Sequence, residues 1–185
     1  MGAGKSAVGR HLARTLHLTF VDSDDEVEAR TGVDVAFIFE KEGETGFRKR
    51  EAAAIDDLTK MDNVVLATGG GAVISADSRS KLGGRGLVVY LYTSVDQQLS
   101  RTQKGRLRPL LEYGDRRRTL EKLLEQRDPL YREIADLIVE TDGRKVHSVA
   151  NEIITHISCL LYTSPSPRDE RRYRVCRLLL EKGGG

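Results

Sequence analysis

The alternation of short apolar runs with helical segments is the feature that most constrains the fold of this chain. Four runs are strand-like because they are short, apolar and bounded by turn residues, namely LTFVDSD at 18–24, NVVLATGGG at 63–71, GLVVYLYT at 86–93 and DLIVET at 136–141. Segments with helical periodicity lie between them. Apolar strands that alternate with helices predict a parallel sheet covered on both faces, a three-layer α/β/α fold.

The stretch GAGKS at 2–6 precedes a helix in which Val8, Leu12 and Leu16 recur at helical spacing. A phosphate-binding loop has the pattern G-x-x-x-x-G-K-[ST] and joins a strand to a helix. Gly4, Lys5 and Ser6 supply the second half of that pattern, and no apolar run precedes it. We therefore expect a phosphate loop and a sheet that lacks its first, central strand. The alternative is a flexible start that contains Gly-Lys-Ser by chance.

Polar residues end two of the predicted strands. Asp22 and Asp24 are two residues apart, so both carboxylates are expected to point the same way, at the strand tips where α/β sheets bind ligands. The alternative is an N-cap cluster for the following helix. Three consecutive glycines, residues 69–71, end the next strand. Their entropic cost favours a close approach of the backbone to a ligand.

Three arginines occur in distinctive contexts: Arg48 in GFRKRE, Arg108 in RLRPLL and Arg127 in QRDPLY. For any one arginine, a solvated helix face is the ordinary explanation. A function would have to come from the combination of these cations with the motifs described above.

The sequence changes character at Cys159. The segment 159–185 contains both cysteines and six Lys/Arg against three Asp/Glu, so its net charge is +3 and that of residues 1–158 is −1. The remaining part argues against nucleic-acid binding through basicity, a disulfide framework and cysteine catalysis. The stretch CLLYTSPSPRD is similar to a translated sequencing adapter, and we expect 159–185 to be an artefactual tail outside the domain. The alternative is a linker followed by a basic helix.

Taken in order, GAGKS, DSD, GFRKRE, ATGGGAV, RPLL and RDPLY resemble the motifs of shikimate kinases over nearly all of residues 1–157. The resemblance implies a phosphate-loop fold like that of the nucleoside monophosphate kinases, as one domain over 1–158 that is cut off at its N-terminus. It implies transfer of the ATP γ-phosphate to the 3-hydroxyl of shikimate, with Mg²⁺, on the pathway to chorismate and the aromatic amino acids.

The resemblance also implies the site residues. The catalytic residues would be Asp24 (the candidate base), Lys5 and Arg108. The ATP-binding residues would be Gly2, Ala3, Gly4, Lys5, Ser6, Ala7, Arg101, Arg108 and Arg144. Shikimate would contact Asp24, Arg48, Gly70 and Arg127. Mg²⁺ would be faced by Ser6 and Asp22. Position 7 is alanine where the family usually has threonine, so one hydrogen bond to a phosphate is expected to be missing.

Two other functions are considered. One is another phosphate-loop small-molecule kinase, such as a gluconate kinase, and the other is a non-catalytic relic of the fold. The arginines favour a substrate that carries a carboxylate. The family resemblance also implies that the protein is a monomer. We expect a cytoplasmic protein that binds neither nucleic acid nor membrane, because the composition is globular and no apolar run reaches membrane-spanning length.

Overall fold

The computed structural model describes residues 4–102, 115–163 and 175–179. Helices α1 to α7 span Lys5–Thr15, Ser23–Thr31, Val35–Leu58, Ala76–Gly84, Val95–Thr102, Arg116–Ile134 and Val146–Thr163. Strands β1 to β5 span Thr19–Asp22, Val64–Ala67, Leu87–Tyr92, Leu137–Glu140 and Val175–Leu179. A short 3₁₀ helix, Ala72–Ile74, follows β2. None of the described helices has the length and apolar character needed to cross a membrane.

The strands form one sheet in the order β1-β2-β5-β3-β4, and every neighbouring pair is parallel. All of β2 and all but the last residue of β3 are buried. Continuous burial is typical of parallel strands whose two faces are both covered by helices. The predicted α/β fold with a parallel sheet is confirmed.

Successive side chains of β2 and β3 enter two different cores. On one face Val65 and Val89 pack with residues of α1 and α7, including Leu12 and Ile153. On the other face a second cluster joins β2 and β3 to α3, α4 and α6, and its members include Ile55, Leu66, Leu82, Val88 and Tyr131. Helices therefore cover both faces of the sheet, which gives the predicted three layers.

The central position of the sheet differs from the sequence expectation. We expected that position to have no strand, but β5 lies there, between β2 and β3 and parallel to both. The physical reason is that β2 and β3 would otherwise each present an open row of backbone donors and acceptors, and the segment at 175–179 satisfies both rows. This strand comes from the segment that was expected to lie outside the domain.

Two helices also run further than the sequence suggested. α6 continues through Pro129, a residue that often interrupts a helix, because Leu120, Arg127 and Tyr131 bury one face of it along its length. α7 continues to Thr163 and so crosses the boundary expected at residue 158. α3 is kinked at Gly43, where φ is 68° in the left-handed region that favours glycine.

Candidate active site

The C-terminal ends of β1 and β2 meet the start of α1 at one edge of the sheet. The ammonium of Lys5, the first residue of α1, donates to the carbonyl oxygen of Thr68, directly after β2, at 2.9 Å. It also forms an ion pair with Asp22, the last residue of β1, at 3.2 Å. The structure therefore brings the Gly-Lys-Ser element to both predicted strand tips, at the edge where open α/β sheets bind ligands.

The Lys5–Asp22 pair is well shielded from water, since the two side chains are 7% and 5% exposed. Charges that are buried in this way interact more strongly than charges on the surface, because water screens them less. The hydroxyl of Ser6 donates to Oδ2 of Asp22 at 3.3 Å. A cation, a hydroxyl and a carboxylate thus lie within reach of one another beside the first turn of α1.

Gly4 directs the chain into α1 and precedes its first turn. Its φ of 81° and ψ of 21° lie in the left-handed region, which an L-residue with a side chain adopts only at a cost. The first N–H groups of a helix have no intrahelical acceptor, and they attract anions together with the positive end of the helix dipole. The start of α1 is therefore a suitable phosphate-binding element, with Ala7 exposed in its first turn.

Asp22 and Asp24 take part in a helix cap and in the polar cluster at the same time. Asp22 is the N-cap of α2, because its Oδ1 accepts from the backbone N–H of Asp24 at 3.1 Å. The helix N-cap that was the alternative explanation for these aspartates is therefore present. It does not exclude the contacts of Asp22 with Lys5 and Ser6. Asp24 lies in the first turn of α2 and is 9% exposed. Its carboxylate lies close to Gly69, just after the end of β2.

The triple glycine at 69–71 is in close contact with three polar side chains. A Cβ at Gly69 would lie 3.1 Å from Oδ1 of Asp24 and would collide with Oε1 of Glu51. A Cβ at Gly71 would collide with the guanidinium of Arg48. In this structure the glycines leave room for side chains of the protein itself, and the close approach of a ligand that was expected here stays a prediction.

Glu51 is the site residue that the sequence analysis missed. It is 1% exposed, and its Oε2 accepts from Nη1 of Arg48 at 2.7 Å. Burial raises the pKa of Glu51 above the ordinary 4.5, and the neighbouring charge of Asp24 adds to this, while Arg48 opposes it. The available sequence signal was the i, i+3 spacing of Arg48 and Glu51 within GFRKRE, which places both on one helix face.

Arg127 reaches this region on a different helix, α6, where it is 3% exposed. Tyr131 follows one turn later on the same face of the helix, and its hydroxyl donates to the carbonyl oxygen of Gly70 at 2.5 Å. α6 is therefore held directly against the triple-glycine turn on the face that carries Arg127. Gly70 lies between Gly69, which is beside Asp24, and Gly71, which is beside Arg48, and its contact with a substrate stays a prediction.

Arg101 and Arg144 lie together at the C-terminal end of β4. Arg101 donates to the carbonyl oxygen of Thr141 at 3.0 Å, and Arg144 donates to that of Glu140 at 3.1 Å. Because all the strands are parallel, this end of β4 lies along the same edge of the sheet as Lys5. The three predicted residues Gly2, Ala3 and Arg108 lie outside the described residues.

Ser6 and Asp22 were predicted to face Mg²⁺, and their chemistry fits that ion. Mg²⁺ prefers hard oxygen ligands and commonly takes one or two from the protein and the others from phosphates and water. The Ser6 hydroxyl and the Asp22 carboxylate, 3.3 Å apart, are such a pair. The described part of the chain holds no group of three or more His, Cys, Asp and Glu that could hold a metal.

The fold has a parallel sheet between two layers of helices, and Gly-Lys-Ser lies at the start of one helix beside a buried cluster of carboxylates and arginines. These features together define the class of small phosphate-loop kinases. The family model for Shikimate kinase matches residues 1–158, and the chain belongs to that family.

Curated relatives agree with this assignment. The chain is 57% identical over 157 residues to a shikimate kinase of Shewanella amazonensis and 56% identical over 157 residues to one of Shewanella loihica. Each match covers 85% of this chain and 92% of the relative.

Solved structures are similar as well. The shikimate kinase of Acinetobacter baumannii, solved in complex with shikimate, has a TM-score of 0.83 at 47% identity, covering 90% of this chain and 91% of that one. The enzyme of Aquifex aeolicus has a TM-score of 0.74 at 32% identity, covering 89% and 95%. The phosphate-loop kinase fold predicted from the sequence is confirmed.

Proposed function

We propose that this chain transfers the γ-phosphate of ATP to the 3-hydroxyl of shikimate and so forms shikimate 3-phosphate for the synthesis of chorismate and the aromatic amino acids. The family is one of ATP-dependent shikimate-phosphorylating enzymes. The observation that carries the proposal for this chain is the convergence of Asp24 and Arg48 on the triple glycine, next to Lys5.

Phosphoryl transfer depends on alignment and charge neutralisation more than on covalent chemistry by the protein. Asp24 accepts the proton of the substrate hydroxyl as that oxygen forms its bond to the γ-phosphorus. The bond from this phosphorus to the bridging oxygen breaks, and its electron pair leaves with ADP. Partial burial of Asp24, at 9% exposure, keeps bulk water from competing for the same proton.

Lys5 supplies positive charge to the β- and γ-phosphates. In the structure its ammonium contacts the carboxylate of Asp22 and the carbonyl of Thr68. Nucleotide phosphates at the start of α1 compete for this ammonium. When ATP binds, Lys5 therefore exchanges part of its contacts with Asp22 and Thr68 for contacts with phosphate oxygens. The N–H groups of the first helical turn hold the phosphates in place.

The carboxylate of shikimate is held by Arg48 and Arg127, which approach the triple glycine from α3 and α6. Arginine suits this task because its planar guanidinium presents two parallel donors to a carboxylate. Glu51 fixes Arg48 through Nη1 at 2.7 Å. A backbone N–H of Gly70 completes the contacts on the other side of the substrate.

Mg²⁺ would be held by the Ser6 hydroxyl and the carboxylate of Asp22, the latter directly or through water, and when bound it supplies neutralisation of phosphate charge. Arg101 and Arg144 contribute to the nucleotide side, together with Gly2, Ala3, Gly4, Ala7 and Arg108. We further propose that the enzyme works as a monomer in the cytoplasm, where ATP and small carboxylic acids are available, and that it has no nucleic-acid or membrane partner.

The test is a coupled assay for ADP release with shikimate and, separately, with gluconate. Shikimate should be preferred by orders of magnitude, and comparable rates on gluconate would contradict the proposal. Arg48→Lys should raise KM for shikimate roughly 10–100-fold, because a charge-assisted hydrogen bond is lost. Arg50→Lys is the matched control, since Arg50 lies on the same helix and pairs with Glu42 at the surface. An equal effect of both variants would remove Arg48 from the substrate site.

A further inference from the structure

We propose that Tyr131 is a positioning residue that holds the peptide group between Gly70 and Gly71 in one orientation and thereby fixes the backbone conformation of Gly70, whose own N–H is the proposed substrate donor. This inference rests on the proposed function and assigns a specific task to a side chain that does not contact the substrate. Its hydroxyl donates to the carbonyl oxygen of Gly70 at 2.5 Å, and the side chain is 0% exposed.

The turn needs such a restraint because glycine has almost no intrinsic conformational preference. Residues without a Cβ populate both positive and negative φ, so a peptide group between two glycines can rotate at low cost. Rotation of the Gly70–Gly71 peptide would reverse its carbonyl and its N–H together, since the two are antiparallel in a trans peptide. The N–H of Gly70, the proposed substrate donor, lies in the preceding peptide, and the accompanying change in the ψ of Gly70 would move this donor relative to the rest of the turn.

Each peptide group of the turn is held by a different element. The Thr68–Gly69 peptide is held on both sides, because Lys5 donates to its carbonyl and its N–H donates to the hydroxyl of Ser23 at 3.1 Å. The carbonyl of Gly69 accepts from the N–H of Ala72 at 3.1 Å. The Gly70–Gly71 peptide is held by Tyr131. The first restraint comes from α1 and α2 and the second from the 3₁₀ helix, whereas the third comes from α6.

Tyr131 is itself held rigidly. Its ring stacks on Tyr90 of β3 with centroids 4.7 Å apart and an interplanar angle of 22°. Its position on α6, four residues after Arg127, places both side chains on one face of that helix. A shift of α6 would therefore move the carboxylate-binding arginine and the turn together, so the tyrosine keeps these two substrate contacts in register.

The stacked pair provides a matched control. The hydroxyl of Tyr90 donates to Oδ1 of Asp128 at 3.0 Å. Tyr131→Phe and Tyr90→Phe therefore each remove one hydroxyl from the same stacked pair, and each keeps its ring. Only Tyr131→Phe removes the restraint on Gly70.

The experiment combines kinetics with NMR spectra of protein labelled with ¹⁵N-glycine. Tyr131→Phe should raise KM for shikimate roughly 2–10-fold, the equivalent of one lost neutral hydrogen bond, with KM for ATP within about 2-fold of the unaltered chain. The amide signals of Gly70 and Gly71 should shift and broaden without any ligand. Tyr90→Phe should leave both KM values and these signals unchanged.

Two results would overturn the inference. Unchanged Gly70 and Gly71 signals in Tyr131→Phe would show that the hydroxyl does not restrain the turn. This conclusion would not depend on which substrate the chain phosphorylates. Equal increases in both KM values would show a general loss of structure. If the unaltered chain does not phosphorylate shikimate at all, the proposed function fails, and the NMR comparison still decides whether Tyr131 restrains the turn.

Discussion

Removing β5 should unfold this chain. β5 lies in the middle of the sheet, where Val175–Leu178 pair with Val64–Ala67 and Cys176–Leu179 pair with Leu87–Tyr90. A chain that ends after residue 174 would lose this strand, while a chain that ends after residue 179 would keep it. The two truncations share the loss of residues 180–185, so their difference isolates the strand.

The magnitude follows from the register. Each neighbouring strand loses four backbone partners. At one hydrogen bond for each pair and about 0.5–1.5 kcal/mol net for each bond, the loss is roughly 4–12 kcal/mol. Since a domain is stable by only about 5–15 kcal/mol, the shorter chain is expected to be largely unfolded. Core side chains that are 0% exposed, such as Val65 and Val88, would also lose cover beside the gap.

Thermal melting by circular dichroism, with nucleotide binding by calorimetry, measures the outcome. The chain ending after residue 179 should melt cooperatively and bind ATP, and the chain ending after residue 174 should do neither. If the shorter chain melts cooperatively within a few degrees of the longer one, β2 and β3 must close the gap without β5, and the reasoning from the register is wrong.

Two further predictions concern the carboxylates of the site. Asp24→Asn should reduce turnover about 10²–10⁴-fold through loss of the general base, while calorimetry should show ATP binding retained; near-normal turnover would remove Asp24 from the mechanism. Glu51→Gln should change how stability depends on pH. In the folded chain the pKa of Glu51 is raised above 4.5, mainly by burial. The contribution of Glu51 to the free energy of unfolding is therefore fully present below about pH 4.5 and is lost as pH rises through the folded pKa. The melting temperature of the unaltered chain relative to that of Glu51→Gln should therefore fall as pH rises from 4.5, and a constant difference would contradict the raised pKa.

The sheet and the location of the site were predictable because both depend on local patterns. The run at 64–67 is apolar at every position, which only a strand buried on both faces requires, and the structure has β2 there. Polar residues directly after such a run must lie at the edge of the sheet. Asp22, Thr68 and the start of α1 meet at that edge for this reason.

The unpredicted features depend on contacts between distant parts of the chain. Glu51 looks like any acidic residue on a helix surface, and its burial follows from how α3 packs against Gly69. Tyr131 looks like a core aromatic residue, and its hydrogen bond to Gly70 joins positions 61 residues apart. The position of β5 depends on two open strand edges, which no local pattern at 175–179 reveals.

The contacts of Arg48 are compatible with the proposed substrate contact, because this half-buried arginine has two protein partners that differ in exposure. Its Nη1 donates to Glu51, whose side chain is 2% exposed, whereas Nε and Nη2 donate to Glu44, whose side chain is 48% exposed. An exposed ion pair is worth about 0–1 kcal/mol, whereas removing one partner of a buried pair costs about 3–5 kcal/mol. Under the proposed function, an incoming carboxylate would therefore replace Glu44 and leave Glu51 in place.

The geometry of the guanidinium supports the same division. Nε and Nη2 form an edge with two parallel donors, which matches the two oxygens of a carboxylate, while Nη1 points elsewhere and stays on Glu51. Nη1 of Arg48 would thus stay bound to Glu51, whereas Nε and Nη2 could exchange Glu44 for another carboxylate. A lysine has a single ammonium and cannot hold Glu51 and present a bidentate edge together, so the proposed carboxylate contact would depend on the shape of the Arg48 side chain as well as on its charge.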